Sequence, residues 1–263
     1  MNQTPNQDKD FPYWLIVAGA IAAYLMYRVV TDDLYSKVLA TLSKGITITV
    51  FVTLVGFALA CAIGLLLATA SLSRWLIFRQ MARFYIEIVR GIPIIVLLLY
   101  VAFVLAPAMV ALWNYITTSL GFDAIRNRDF SLMWRAIIAL TIGYSAFIAE
   151  VFRAGLQSVG KGQIEAAEAL GLSPWQRFRL IILPQAIRTI LPPLGNDFIA
   201  MIKDSSLVSV LGVLDITQLG KVTAAGNFRY FETYNVVALI YLIMTVGLSL
   251  LLRRLERRLR RRY

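Results

Sequence analysis

Residues Gly45–Ala70 read GITITVFVTLVGFALACAIGLLLATA, a run of 26 residues without a charged side chain. A transmembrane helix requires about 20 mostly apolar residues, so this segment is long enough to cross a bilayer. Two further charge-free runs, Gly91–Trp113 and Tyr234–Leu252, meet the same requirement. These three runs predict a polytopic membrane protein rather than a soluble domain.

The composition of the whole chain supports this class. Of its 263 residues, 59% are hydrophobic and 16% are charged, whereas soluble domains average about 25% charged residues. The net charge is +11, but the basic residues crowd the ends of apolar runs, which is a membrane pattern and not a nucleic-acid-binding face. The chain has no histidine, so imidazole-ligated metals and histidine acid–base chemistry are excluded, and we expect no metal site.

Three weaker segments complete a prediction of six transmembrane helices. Tyr13–Val30 is apolar with Arg28 near its end, and Ala136–Ala149 is short but extends to Phe152. The third, Ile187–Leu214, contains two prolines and several charged residues, and we expect it to be a broken helix. We therefore predict an all-α fold, a polytopic membrane helix bundle of about six transmembrane helices.

The distribution of Lys and Arg predicts the orientation, because cytoplasmic loops carry an excess of both. With the N-terminus inside, 17 of the 26 basic residues lie on the cytoplasmic side. Seven arginines between Arg253 and Arg262 decide much of this excess, since the remaining count is ten against nine. We expect both termini in the cytoplasm, with the basic tail on membrane lipid and not on nucleic acid.

This orientation places the amphipathic segment Glu165–Pro184, EAAEALGLSPWQRFRLIILP, in the cytoplasm. Residues Gln163–Leu170 are rich in strong helix formers. Gly171 follows at the position where a left-handed residue ends a helix. We predict a short helix that ends in a bend.

A second short helix is predicted after that bend. Ser173 and Gln176 have the spacing of a capping box, and Pro174 suits the first helical position. We expect Pro184 to close this helix. The loop then forms a stiff, bent lever, although an amphipathic loop lying on lipid headgroups is the alternative. Acidic Glu165 and Glu168 in the first helix favour a protein partner, because anionic lipid would repel them.

The loop resembles the EAA loop of ABC importer permeases of type I. The match covers the Glu-Ala-Ala triplet, the glycine four residues after it and the closing Ile-x-Leu-Pro. In that family the loop forms coupling helices that dock on the ATPase. The ATPase-coupling residues implied by the resemblance are Glu165, Ala166, Ala167, Gly171, Ser173, Leu183 and Pro184.

Three further stretches resemble the polar amino-acid subfamily of these permeases: Tyr85–Tyr100, Ser145–Gln163 and Leu183–Val213. The family usually has Thr where this chain has Ile92, and often Gln where it has Leu97, so two polar groups are absent from the third predicted span.

The resemblance implies a division of the chain into three parts. Residues 1–44 would hold an N-terminal tail, the first transmembrane helix and an outer loop. Residues 45–252 would form the five-helix permease core, with the coupling loop at 157–185. Residues 253–263 would form the basic tail.

The implied function is that of a non-catalytic permease subunit of an ATP-driven importer for polar L-amino acids, working by alternating access in the bacterial cytoplasmic (inner) membrane. Its implied partners are a cytoplasmic ATPase dimer, a second permease chain (identical or homologous) and an extracytoplasmic amino-acid-binding protein. The chain lacks a G-x-x-x-x-G-K-[ST] phosphate loop, so we expect it to bind no cofactor, with ATP and Mg on the partner ATPase.

Two alternatives stay open at this point. The cargo could be another small polar solute, such as an opine or an amine. An ion-driven secondary transporter is the alternative from another class, but it would require two related halves or more intramembrane carboxylates.

The broken fifth span carries the candidate substrate path, because charge inside a membrane usually faces a cavity or a partner. Asn196, Ala200, Lys203 and Asp204 have spacings that place them on one helix face. The predicted path residues are Asn196, Lys203, Asp204, Ser205, Ser206 and Glu150. The structural alternatives are a Lys203–Asp204 pair and, for Glu150, an ion pair with Arg153.

Overall fold

The computed structural model describes residues 13–261, and the regular elements in this part of the chain are helices. Their bounds are α1 Tyr13–Thr31, α2 Asp33–Ser71, α3 Leu76–Gly91, α4 Ile94–Thr118, α5 Leu132–Gln157, α6 Lys161–Ala169, α7 Pro174–Arg177, α8 Leu183–Asp204, α9 Ile216–Asn227 and α10 Tyr230–Arg261. A 3-10 segment, Ser205–Leu211, follows α8.

Among the described residues, four helices are long and apolar enough to cross a membrane: α2, α4, α5 and the part of α10 up to Arg257. The shorter apolar segment Gly19–Thr31 lies in α1. Helix α8 has 22 residues and includes Asp197, Lys203 and Asp204, which lower its hydropathy. The predicted all-α membrane bundle is confirmed, and α1 and α8 occupy the two other segments that the sequence predicted as spans.

Helix α2 begins at Asp33, so the segment up to residue 44 is helix and not the irregular loop that the sequence predicted. The side chain of Asp32 caps the helix by accepting a hydrogen bond from the Leu34 N–H at 2.9 Å. Inside the supposed loop, Tyr35, Val38 and Leu42 are buried in a cluster with residues of α9 and α10. This packing favours helix from the first residue after Asp32.

Helix α5 is the centre of the bundle. Of its most apolar stretch of 18 residues, 67% are buried inside the protein, against 22–33% for the corresponding stretches of the other three long apolar helices. Its contact with α2 is close because Gly64 faces it: a Cβ at Gly64 would lie 2.9 Å from the Ile148 side chain and 3.1 Å from the Ala149 nitrogen. The main buried cluster gathers residues of α5 with residues of α2, α4 and α8.

Two π-helical turns each end two residues before a proline. Val101–Leu105 in α4 precedes Pro107, and Phe178–Ile182 precedes Pro184. A proline ring clashes with the carbonyl four residues before it, and a wider turn relieves that clash. The expectation that Pro184 closes the second loop helix is therefore wrong, because α7 continues through the π turn into α8.

Helix α8 is continuous where the sequence predicted a break. Pro192 and Pro193 lie inside α-helix, and Gly195 does not interrupt it. A Cβ at Gly195 would clash with the Leu252 side chain, so this glycine serves close packing of α8 against α10. Tertiary packing thus overrides the two missing backbone donors, and the helix ends only at Asp204.

Candidate coupling loop and intramembrane cavity

The bend at Gly171 has the geometry of a Schellman motif. Gly171 has φ +75°, and its N–H donates to the Glu168 carbonyl at 2.9 Å. The Leu172 N–H donates to the Ala167 carbonyl at 3.1 Å. These two bonds satisfy carbonyls at the end of α6 and turn the chain. The predicted glycine cap is confirmed.

The second predicted cap is confirmed as well. The Ser173 hydroxyl accepts a hydrogen bond from the Gln176 N–H at 3.3 Å, and the Gln176 side chain accepts one from the Ser173 N–H at 2.9 Å. Pro174 occupies the first position of α7. A capping box fixes the direction in which α7 leaves the bend.

Side chains then hold the two arms of the bend together. Glu168 of α6 forms an ion pair with Arg177 of α7 at 2.8 Å. The Gln185 amide donates to the Gln163 side-chain oxygen at 2.6 Å, which connects α6 to the start of α8. The loop is therefore braced at its bend and at its base.

The outer face of the braced loop is open to solvent. Glu165 and Ala166 are exposed, while Ala167 is buried on the inner face. Three large apolar side chains of the loop are strongly exposed: Leu170 is 81%, Trp175 67% and Leu180 58% exposed. Leu183 is half-buried and Pro184 is exposed. Large exposed apolar side chains on the same loop as exposed Glu165 are typical of a docking surface.

Between α3, α4, α5 and α8 lies a cavity of about 540 Å³. Its lining is largely apolar, with polar groups at a few points, as is usual for small-molecule sites. The lining residues are Val89, Arg90, Gly91, Ile92, Pro93, Ile94, Leu97, Gly143, Tyr144, Phe147, Asp197, Ala200 and Asp204. Ile92 and Leu97, the two departures from the family pattern, thus both make this cavity more apolar.

Two carboxylates of α8 line the cavity. Asp204 accepts a hydrogen bond from the Tyr144 hydroxyl of α5 at 2.8 Å. Asp197 lies two helical turns earlier, and its Oδ2 atom is buried without a hydrogen-bond partner. Arg90 of α3 reaches the same cavity, with its guanidinium 5.6 Å from the centre of the Phe147 ring.

The structure separates the residues predicted to share a face of α8. Ala200 and Asp204 line the cavity, while Asn196 and Lys203 are exposed outside its lining. None of the ion pairs among residues 13–261 joins Lys203 to Asp204. The face that meets the cavity is that of Asp197, Ala200 and Asp204, at spacings of three and four.

The remaining predicted path residues lie elsewhere. The buried Ser205 hydroxyl donates to the Ile202 carbonyl at 2.7 Å, and Ser206 is half-buried outside the cavity lining. Glu150 pairs with Arg153 at 2.5 Å, as the structural alternative predicted. Glu150 also lines a separate polar pocket of about 300 Å³.

Sequence reasoning missed Asp197, Tyr144 and Arg90. A signal for Asp197 was present, since its spacing of seven residues from Asp204 places the two on one helix face. No comparable signal existed for Tyr144 or Arg90, because their contacts with the cavity arise from how α5 and α3 pack against α8.

Comparisons with known proteins agree with this architecture. Residues 60–263 match the family described as binding-protein-dependent transport system inner membrane component. The glutamine transport system permease protein GlnP of Escherichia coli strain K12 is 40% identical over 219 residues, which is 83% of this chain and 93% of that protein. The probable amino-acid permease protein YxeN of Bacillus subtilis strain 168 is 35% identical over 85% of this chain and 93% of its own length.

Solved structures point the same way. The crystal structure of an amino acid ABC transporter with histidines is 35% identical, with a TM-score of 0.72 over 85% of this chain and 96% of that one. A structure of the MetNI methionine ABC transporter in an inward-facing conformation is 21% identical, with a TM-score of 0.61 over 87% of this chain and 99% of that one. This likeness supports the fold alone. The chain belongs to the binding-protein-dependent transport system inner membrane component family and has the fold of an ABC importer permease.

Proposed function

We propose that this chain is the permease subunit of an ABC importer for polar L-amino acids, with L-glutamine as the first candidate substrate. The observation that carries the proposal is the cavity, which holds two carboxylates and one guanidinium within an apolar lining. A free amino acid carries an ammonium and a carboxylate on one carbon, so it offers a partner to both kinds of group. Relatives named for glutamine and for amino acids support the same class.

In this proposal the substrate ammonium lies near Asp204 and Asp197. Asp204 is oriented by Tyr144, and the buried Asp197 oxygen has no partner within the described chain. A buried carboxylate without a partner is costly, and a bound ammonium would remove that cost. Arg90, at the edge of the same cavity, is positioned to bind the substrate carboxylate.

Four other residues of the predicted path, Asn196, Lys203, Ser205 and Ser206, have weaker support. Exposed Asn196 and Lys203 remain candidates for a path formed with a second permease chain. The Ser205 hydroxyl is used in its hydrogen bond to the Ile202 carbonyl at the end of α8, and Ser206 lies next to it.

The braced loop is the proposed contact with the ATPase. Leu170, Trp175 and Glu165 are all exposed on this loop. The Glu168–Arg177 ion pair holds its two arms together. A rigid arm transmits a displacement, whereas a flexible loop would absorb it. Closure of the ATPase dimer around ATP and Mg would thus move α5 and α8, to which the arm is joined.

The proposed assembly contains two permease chains, identical or homologous, two ATPase subunits and an external binding protein for the amino acid. The chain itself is proposed to be non-catalytic and to bind no cofactor. The bacterial inner membrane, with both termini in the cytoplasm, is the location that fits the distribution of basic residues.

Reconstitution tests this function. The permease, its ATPase and the binding protein are placed in liposomes with ATP on the ATPase side, and uptake of labelled L-glutamine, L-glutamate, L-arginine and L-histidine is measured in turn. ATP-dependent uptake of at least one of these amino acids is the expected result. Uptake that requires an ion gradient and does not depend on ATP would overturn the proposal.

A further inference from the structure

Two cavities follow one another along the interface between α3 and α5. The intramembrane cavity meets α3 at Val89–Gly91 and α5 at Gly143–Phe147. The polar pocket meets α3 at Arg83–Glu87 and α5 at Glu150–Arg153. On both helices the pocket therefore lies about one turn beyond the cavity. On α5, this is the direction that leads through Gln157 towards the coupling loop.

The contact between Arg90 and Phe147 lies at the boundary of the two spaces. Both residues line the cavity, and they meet in a cation–π contact of 5.6 Å. On α3, Glu87 lies three residues before Arg90, and on α5, Glu150 lies three residues after Phe147; both glutamates line the pocket. The Arg90–Phe147 contact therefore lies within about one helical turn of both pocket-lining glutamates.

The polar pocket has the chemistry of an amphoteric site. It has a volume of about 300 Å³, at the lower end of the range for small-ligand sites. Glu150 and Arg153 are paired with each other on α5. On α3, Arg83 and Glu87 are exposed and take part in none of the ion pairs found among residues 13–261.

We propose that the pocket is a second binding site for the amino-acid zwitterion, reached from the intramembrane cavity past the Arg90–Phe147 contact. Arg83 binds the carboxylate, since a guanidinium matches it in a two-point geometry. Glu87 binds the ammonium, and the Glu150–Arg153 pair forms the opposite wall. This inference rests on the proposed function and adds a release site to it. It requires both charges of the substrate.

Thiol protection tests the site on the assembled complex. Cys61→Ala removes the chain's single cysteine, and Ser71→Cys places a thiol of similar size in the pocket lining. The matched control is Ser73→Cys, two residues away and outside that lining. The rate of modification by a charged methanethiosulfonate reagent is followed on the permease by mass spectrometry, with and without L-glutamine.

L-glutamine is expected to slow modification of the S71C thiol by about tenfold at ten times its dissociation constant, as mass action requires. The S73C rate should not change. Glu87→Gln or Arg83→Gln in the S71C background should abolish the protection, and 4-aminobutanamide, which lacks the carboxylate, should not protect.

Equal protection by 4-aminobutanamide would overturn the zwitterion site, and so would equal protection of S73C or no protection of S71C. ATP-driven uptake by the unsubstituted complex is measured in parallel. If the complex takes up the amino acid but the S71C thiol is not protected, only the second site is excluded. If there is no amino-acid uptake, the proposed function itself is excluded.

Discussion

The hydroxyl of Tyr144 donates a hydrogen bond of 2.8 Å to the carboxylate of Asp204, joining α5 to α8 across the wall of the intramembrane cavity. Helix α5 leads into the coupling loop and α8 leads out of it. The same contact therefore orients a carboxylate that is proposed to bind the substrate, and it connects the two helices that the loop would move.

Removing that hydroxyl should weaken transport without breaking the complex. Tyr144→Phe keeps the size of the cavity but leaves the Asp204 carboxylate without this donor. A hydrogen bond to a charged group contributes about 1.5–3 kcal/mol, which corresponds to about a tenfold to hundredfold loss of apparent affinity. The concentration dependence of uptake measures it. Tyr100→Phe, an exposed tyrosine of α4 outside the cavity lining, is the control and should behave as the parent.

Substitution of Asp204 itself should likewise reduce transport without breaking the complex. Asp204→Ala is expected to reduce substrate-dependent uptake while the ATPase still co-purifies with the permease. Loss of the complex in this variant would mean that Asp204 serves structure, and the proposed role in binding would be withdrawn.

Substitution of Asp197 should improve stability and impair function together. Its buried Oδ2 atom has no partner, and an unpaired buried charge destabilises a protein. Asp197→Asn removes that charge, so the melting temperature should stay equal or rise while uptake falls. Thermal unfolding in detergent and uptake in liposomes measure the two effects, with exposed Asp123→Asn as the control. A fall in both quantities would indicate that the carboxylate is structural.

The bend at Gly171 should be sensitive to any side chain. Its φ of +75° is unfavourable for other residues, by about 1–2 kcal/mol per residue, although no heavy atom lies within 4 Å of a Cβ placed there. Gly171→Ala is expected to lower uptake per ATP hydrolysed while membrane insertion stays normal. Gly121→Ala imposes the same strain at φ +85° outside the loop, again with open space around the Cβ, and should leave coupling unchanged. Normal coupling in Gly171→Ala would remove the lever argument.

The brace between the loop helices can be reversed. Arg177→Glu places two acidic groups at the bend, and we expect uptake to fall, whereas Glu168→Arg combined with Arg177→Glu should restore most of it. Glu168 is largely exposed, so the pair contributes at most about 1 kcal/mol to stability. The readout is therefore uptake and not melting. If the double variant is no better than the single one, these residues act through a partner and not through each other.

Gly45 should tolerate no larger residue. A Cβ there would lie 2.6 Å from the backbone nitrogen of Ile216, at the start of α9. Gly45→Ala forces α2 and α9 apart, and overpacking of this kind costs about 1–3 kcal/mol. Thermal unfolding should show a lower melting temperature. Gly19→Ala, with open space around its Cβ, is expected to cause no loss.

The features that could be predicted from the sequence are those determined over short distances along the chain. The caps at Gly171 and Ser173 depend on residues a few positions apart, and both were found as predicted. The long apolar runs likewise predict the membrane helices, because length and composition suffice.

The features that were missed depend on packing between distant segments. Helix α2 extends back to Asp33 because α9 and α10 cover its first turns. Helix α8 stays regular through Pro192 and Pro193 although local propensity predicts a break. Tyr144 and Arg90 join the cavity only through the arrangement of α5 and α3. None of these contacts has a signature in local sequence.

The central claim is that the loop couples this chain to a separate ATPase. Its most direct test is purification of the tagged permease from native membranes. ATP hydrolysis by the purified material is measured with and without the amino acid and its binding protein. We predict that an ATPase co-purifies and that one class of amino acid stimulates hydrolysis. A chain that purifies alone, under conditions that preserve known complexes, and drives uptake without ATP would contradict the coupling role of Glu165–Pro184.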